Sequence, residues 1–162
     1  MVDFNNVMQL VLETAKFFDK NAEVTNQKGQ FDYVTNIDCQ VQEFLYNGLS
    51  WHYPDIRMLS EEMTGFVLNN NFSTWILDPV DGTTNLMHGY RESAVSLALF
   101  SEGIIKFGCI FNPFTNEIFK AEYGKGAYLN GKLIRCSDTS EIRKSLLSIE
   151  TAPYNRESSD VK

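Results

Sequence analysis

Between Trp51 and Arg57 the hydrophobic pattern of this chain changes period, and that change limits the folds open to it. Upstream, apolar residues recur at helical spacing: Val7, Leu10, Val11, Thr14, Ala15 and Phe18 within residues 3–19, then Ile37, Val41, Phe44, Leu45 and Leu49 within residues 36–51. Thr35, followed three residues later by Asp38, matches a capping box, and Pro54 lies past the second helix. Those two polar residues are expected to cap rather than to bind a ligand. Downstream, short apolar runs alternate with turn signals. Strands are predicted over 93–100, 104–111, 117–123 and 127–134, joined by Glu102-Gly103, Asn112-Pro113 and residues 124–126, with a further tight turn at Asn130-Gly131. Such short links require antiparallel neighbours. The expectation is an α+β domain: two amino-terminal helices packed on one face of a mainly antiparallel sheet. Residues 21–30 read as a polar connector and residues 151–162 as a loop or frayed end.

With 162 residues, 43% of them apolar, the chain can build one substantial core, or one domain and the start of another. Its net charge of −7 argues against general nucleic-acid binding, which needs a basic face. Phosphate substrates stay open if bound metals reverse the local sign. Cys39, Cys109 and Cys136 show no metal-type pairing and leave an odd count, as expected of buried or idle thiols in a reducing compartment. The start, Met1-Val2-Asp3-Phe4, lacks a signal pattern and no apolar run approaches a membrane span, so a soluble cytoplasmic protein without membrane contact is expected.

The chemistry concentrates in Trp75-Ile76-Leu77-Asp78-Pro79-Val80-Asp81-Gly82-Thr83-Thr84-Asn85. Pro79 cannot donate to a ladder and biases Asp78 toward extended backbone, so the strand is expected to end here with Asp78 and Asp81 flanking a tight bend. Gly82 leaves backbone accessible, and Thr83, Thr84 and Asn85 open a short helix whose first amides lack partners and attract anions. Carboxylates that hold divalent cations beside amides that hold phosphate suit metal-assisted phosphoester hydrolysis. Turn formation explains an Asp beside Pro or Gly equally well. Gly124-Lys125-Gly126 lacks the cradle of a phosphate loop and reads as a strand connection. His88 reads as a capping or packing residue, and Glu62 as a solvated carboxylate.

The segment from Asp78 to Asn85 resembles the D-P-[IVL]-D-G-[TS]-x-N signature of the inositol monophosphatase family, within the lithium-sensitive, magnesium-dependent sugar phosphatase superfamily. Asp32-Tyr33-Val34-Thr35-Asn36-Ile37-Asp38 is similar to the family's D-x-V-T-x-x-D, and Ser60-Glu61-Glu62 to its G-E-E, with Ser60 in place of the usual Gly. The resemblance reaches from the first helix to about Leu147. It implies the first domain of a layered α-β-α-β-α fold, with residues 1–147 as a metal- and phosphate-binding domain and 148–162 as a linker or the start of a second domain. The family normally continues for about a hundred residues more, a domain's worth, with a W-D-x-A-A-type motif whose Asp binds metal.

By the same resemblance Glu61, Asp78 and the Val80 carbonyl would hold one Mg2+, and Asp78 and Asp81 a second; two or three ions are implied, with Mn2+ as a substitute. Oxygen-only donors suit these hard cations better than zinc. Thr83, hydrogen-bonded to Asp32, would orient or activate the attacking water. The Gly82 and Thr83 amides would bind phosphate, with Glu61, Val80 and Asp81 also lining the substrate site. The implied activity is a phosphomonoesterase acting on inositol monophosphate or a similar small phosphorylated polyol, in a homodimer. The ending Thr83-Thr84-Asn85 favours this branch over fructose-1,6-bisphosphate or 3′-phosphoadenosine 5′-phosphate phosphatases. A different expectation is a non-catalytic binding or assembly module, and residues 1–162 alone are expected to have weak or no activity.

Overall fold

The computed structural model describes residues 2–19, 21–28, 33–63 and 68–148. Asp32 and the tail at 151–162 lie outside the described residues. The first helix, α1 (Phe4–Glu13), is capped by the Asp3 side chain, which accepts from the Asn5 amide. It is followed by a single turn, α2 (Ala15–Phe18), so the expected continuous helix is broken at Thr14. The buried Thr14 hydroxyl donates back to the Val11 carbonyl at 2.6 Å, the kind of bond that competes with the helical ladder. The polar connector holds the first strand of a hairpin that the sequence pattern did not reveal: β1 (Val24–Gln27) pairs antiparallel with β2 (Tyr33–Thr35). All four residues of β1 are exposed, so no alternation marks it.

The long helix α3 (Asn36–His52) begins on the expected capping box: the Thr35 hydroxyl accepts from the Ile37 amide while Asp38 accepts from the Thr35 amide. Then come β3 (Arg57–Ser60), β4 (Thr74–Asp81), the short helix α4 (Thr83–Met87), β5 (Ala94–Ser101), β6 (Ile104–Asn112), β7 (Glu117–Glu122), β8 (Gly126–Leu129) and β9 (Lys132–Ile134). These seven strands, β3 to β9, form one sheet in sequence order. Only β3 and β4 are parallel; the other neighbours are antiparallel, joined by tight connections. The predicted strand over 127–134 is two strands folded at Asn130-Gly131, where both residues take positive φ.

One face of the sheet carries the core. Val95, Leu97 and Leu99 from β5 and Phe107, Cys109 and Phe111 from β6 alternate onto the side covered by Val7 and Val11 of α1 and by Ile37, Val41, Leu45 and Leu49 of α3. Phe4 stacks on Phe107 at 4.5 Å between centroids. The other face is open and apolar in its middle, where Ala98, Ile110, Phe119 and Ile134 border a hollow of ≈ 400 Å³. Burial pushes the Cys109 thiol up to about 12, which leaves it inert. Cys39 and Cys136 are exposed free thiols. No helix among the described residues is long and apolar enough to cross a membrane.

Candidate active site

Strand β4 does not stop at Pro79. It continues to Asp81 through a bulge, in which Asp78 pairs with Ser96 and Asp81 pairs with Ala94. Three steps along β4 therefore match two along β5, so one extra residue is accommodated. In a regular strand, positions three apart face opposite sides. Ser96 and Ala94 are two apart and share a face, so the bulge brings Asp78 and Asp81 to one side. Burial shows the same shift: Trp75 and Leu77 are buried with Asp78 half-buried, and then Pro79 and Val80 are buried consecutively. The proline sits where the ladder is interrupted and its missing N–H costs nothing.

Glu61 reaches this place from the end of β3. Its amide donates to the Leu77 carbonyl, extending the parallel ladder by one step, and Met63 N closes a turn onto Ser60 O at 3.0 Å. Glu61 and Asp78 line a cleft of ≈ 420 Å³ with Leu59, Ile76 and Ser96. Asp78 is pushed up to about 7, first by burial, then by repulsion from Glu61 and a carboxyl–carboxyl hydrogen bond to it, and then by Asp81; the Val80 amide, donating to Asp78 Oδ1 at 3.1 Å, opposes the shift. Carboxyls crowded in this way are a site that a divalent cation would relieve.

Among the described residues, no three His, Cys, Asp or Glu side chains gather tightly enough to hold a metal by themselves. Glu61, Asp78 and Asp81 are therefore an open arrangement, with Glu61 paired to Asp78 and Asp81 adjoining. Such a set fits magnesium, which keeps several waters and needs only one or two protein carboxylates.

Helix α4 starts at Gly82, whose φ of +84° places it in the left-handed region. A Cβ there would come within 2.8 Å of the Glu92 carbonyl. Ser93 Oγ donates to the Gly82 carbonyl at 2.9 Å and Asn85 Nδ2 to the Glu92 carbonyl at 2.8 Å, so the turn is held from both sides. Replacing Gly82 with Ala is expected to cost about 2–3 kcal/mol through backbone strain and this clash, seen as a lower midpoint in chemical denaturation. His88 caps the far end of α4, as expected.

Thr83 is part-buried, and its hydroxyl faces two acceptors: the Val80 carbonyl at 2.9 Å and Asp38 Oδ1 at 3.3 Å. The expected partner, Asp32, lies outside the described residues; the carboxylate that the structure places beside Thr83 is Asp38. Sequence reasoning explained Asp38 as a cap and looked no further. It is a cap, but only one of its oxygens is committed: Oδ2 accepts from the Thr35 amide at 2.9 Å and from the Thr35 hydroxyl at 2.5 Å, leaving Oδ1 for Thr83. Burial raises the Asp38 carboxyl above its ordinary range despite the bonds from Thr35. Glu62 also departs from expectation. Instead of a solvated carboxylate it is a largely covered one, paired with Lys28 at 2.8 Å.

Known proteins share the sequence and the fold of this chain. The sequence profile of the inositol monophosphatase family matches residues 3–160. Inositol monophosphatase 1 of Solanum lycopersicum is 43% identical over 126 residues, covering 76% of this chain and 46% of that protein. The crystal structure of extragenic suppressor protein suhB from Bartonella henselae superposes with a TM-score of 0.76 at 34% identity, over 84% of this chain and 55% of that one. An IMPase/NADP phosphatase complexed with Mg2+ and phosphate does so with a TM-score of 0.71 at 26% identity, over 80% and 50% of the two chains. The chain spans about half the length of the curated relatives it matches. By profile, by sequence identity and by fold, the chain belongs to the inositol monophosphatase family.

Proposed function

We propose that this chain carries the metal- and phosphate-binding part of a magnesium-dependent phosphomonoesterase that hydrolyses inositol monophosphate or a similar small sugar phosphate. The observation that carries the reading is the Thr83 hydroxyl held between Asp38 and the Val80 carbonyl, next to the Glu61–Asp78 pair. Glu61, Asp78, Asp81 and the Val80 carbonyl would hold Mg2+, or Mn2+ in its place; two or three ions follow from the resemblance. When bound, magnesium would offset phosphate charge and make water easier to deprotonate.

The chain's own groups do the rest. A hydroxyl has one proton to give. When Thr83 gives it to Asp38, a lone pair on Oγ1 is free to accept a proton from the attacking water, so Thr83 and Asp38 orient and activate that water together. The amides of Gly82 and Thr83, at the start of α4, are the donors proposed for the phosphate oxygens. Ionised Asp38 is required, and its buried, raised carboxyl favours proton acceptance. A cytoplasmic homodimer is part of the same proposal, to be checked by sedimentation. Residues 1–162 alone are proposed to turn over weakly.

The test is phosphate release from inositol monophosphate, fructose 1,6-bisphosphate and 3′-phosphoadenosine 5′-phosphate with magnesium titrated. Preference for the first is expected; preference for another would reassign the substrate, and no magnesium-dependent release from any would overturn the reading in favour of a binding module. Cation affinity is expected to depend on pH. Below pH 7 the proton held at Asp78 must be displaced, so Mg2+ binding weakens by up to about tenfold per unit as pH falls from 7 to 6, and levels off above 8. Calorimetry in two buffers of different ionisation enthalpy would read the released proton.

A further inference from the structure

Among the described residues, the ion pairs other than Lys28–Glu62 join residues two to four apart in sequence. Lys28–Glu62 is different. It joins the residue after β1 to the turn after β3, at 2.8 Å, with the side chains 29% and 13% exposed. At that depth the pair is less screened than the Glu102–Lys106 pair, whose carboxylate is 78% exposed.

The Ser60–Met63 turn sends its two glutamates to different places: Glu61 to Asp78, and Glu62 to Lys28, near enough to Asp38 for their charges to repel. The hairpin has a second anchor at its base, where Glu23 O accepts from the Asn36 amide and Asn36 Oδ1 accepts from the Glu23 amide. Lys28 ties down the opposite end. We propose that the Lys28–Glu62 ion pair is the clasp that seats the β1–β2 hairpin against the turn bearing Glu61, which makes Glu62 a positioning residue for Glu61. This rests on Glu61 being a cation ligand, as proposed above. The clasp restricts the turn through its second residue, leaving the first free to meet the cation. It also places a positive charge beside Glu62, which otherwise adds to the repulsion on Asp38.

The experiment compares the protein with K28M, E62Q and the exchanged pair K28E/E62K, reading amide hydrogen exchange in residues 24–36 and Mn2+ affinity by electron paramagnetic resonance. Both single variants are expected to exchange faster in the hairpin and to bind Mn2+ about tenfold more weakly, the loss seen when an outer partner of a metal ligand is removed. The exchanged pair is expected to recover hairpin protection and most of the affinity. Single variants within twofold of the parent in both readouts would overturn the clasp. Faster exchange with unchanged Mn2+ affinity would overturn the positioning role. A parent protein that binds no Mn2+ would overturn the cation reading of Glu61 instead, and the exchange data would then decide the clasp alone.

Discussion

Replacing Asp78 by Asn is expected to abolish magnesium-dependent phosphate release and weaken Mn2+ binding at least a hundredfold, while making the metal-free protein more stable at pH 8. The two effects have one cause. In the folded chain Asp78 holds its proton up to about pH 7, against 3.8 for an ordinary aspartate. Between those values the folded state binds more protons than the unfolded state, so stability falls as pH rises through the window, and the whole penalty is present above it. Because the carboxyl is only half-buried, solvent screening trims that penalty to about 1–2 kcal/mol. Asn has nearly the same shape and no charge to desolvate. Urea unfolding in EDTA should therefore show the parent losing about 1 kcal/mol between pH 5 and pH 8 and the variant losing little. Excess magnesium should restore stability to the parent alone. A variant that is less stable than the parent at pH 8, or that keeps its Mn2+ affinity, would contradict the assignment. Stability given up at the place where chemistry occurs is a common compromise.

Thr83→Ala is expected to reduce turnover by about a hundred- to ten-thousandfold, the usual contribution of a positioned proton acceptor, with Mn2+ affinity within threefold of the parent. Thr83→Ser keeps the hydroxyl and should retain most activity. Asp38→Asn should match Thr83→Ala in rate, and should also lose about 1–2 kcal/mol because Asp38 completes the cap on α3. Combining Thr83→Ala with Asp38→Asn should cost little more in rate than either alone, as the proposed relay through both groups requires. Additive losses in steady-state kinetics would separate them and remove Asp38 from the reaction.

What could be read in advance divides along physical lines. The second helix and its cap, the three strands from β5 to β7 and the Asn130-Gly131 turn were legible because periodicity and turn chemistry act locally. Thr14 was legible as a buried position but not as a break, since its back-bond to Val11 depends on side-chain rotation. The hairpin of β1 and β2 escaped because β1 is exposed along its whole length, and β2, although Val34 and Thr35 are buried, is too short at three residues to show an alternating pattern. Asp38 was legible as a cap but not as the partner of Thr83, for a different reason. A carboxylate has two oxygens, and a local role for one satisfies pattern reasoning while the second serves a residue far along the chain. Likewise Glu62 looked like a surface charge until Lys28 was found beside it.

The bulge at Pro79-Val80 sets an arithmetic for sequence change in this segment. A sheet counts residues in twos, and here an odd interval has been fitted to an even one. Losing or gaining a single residue between the two aspartates would leave the apolar strand paired as before yet turn Asp81 toward the opposite surface. Length at this point therefore shapes the surface as residue identity does, in a way that no point substitution can reveal.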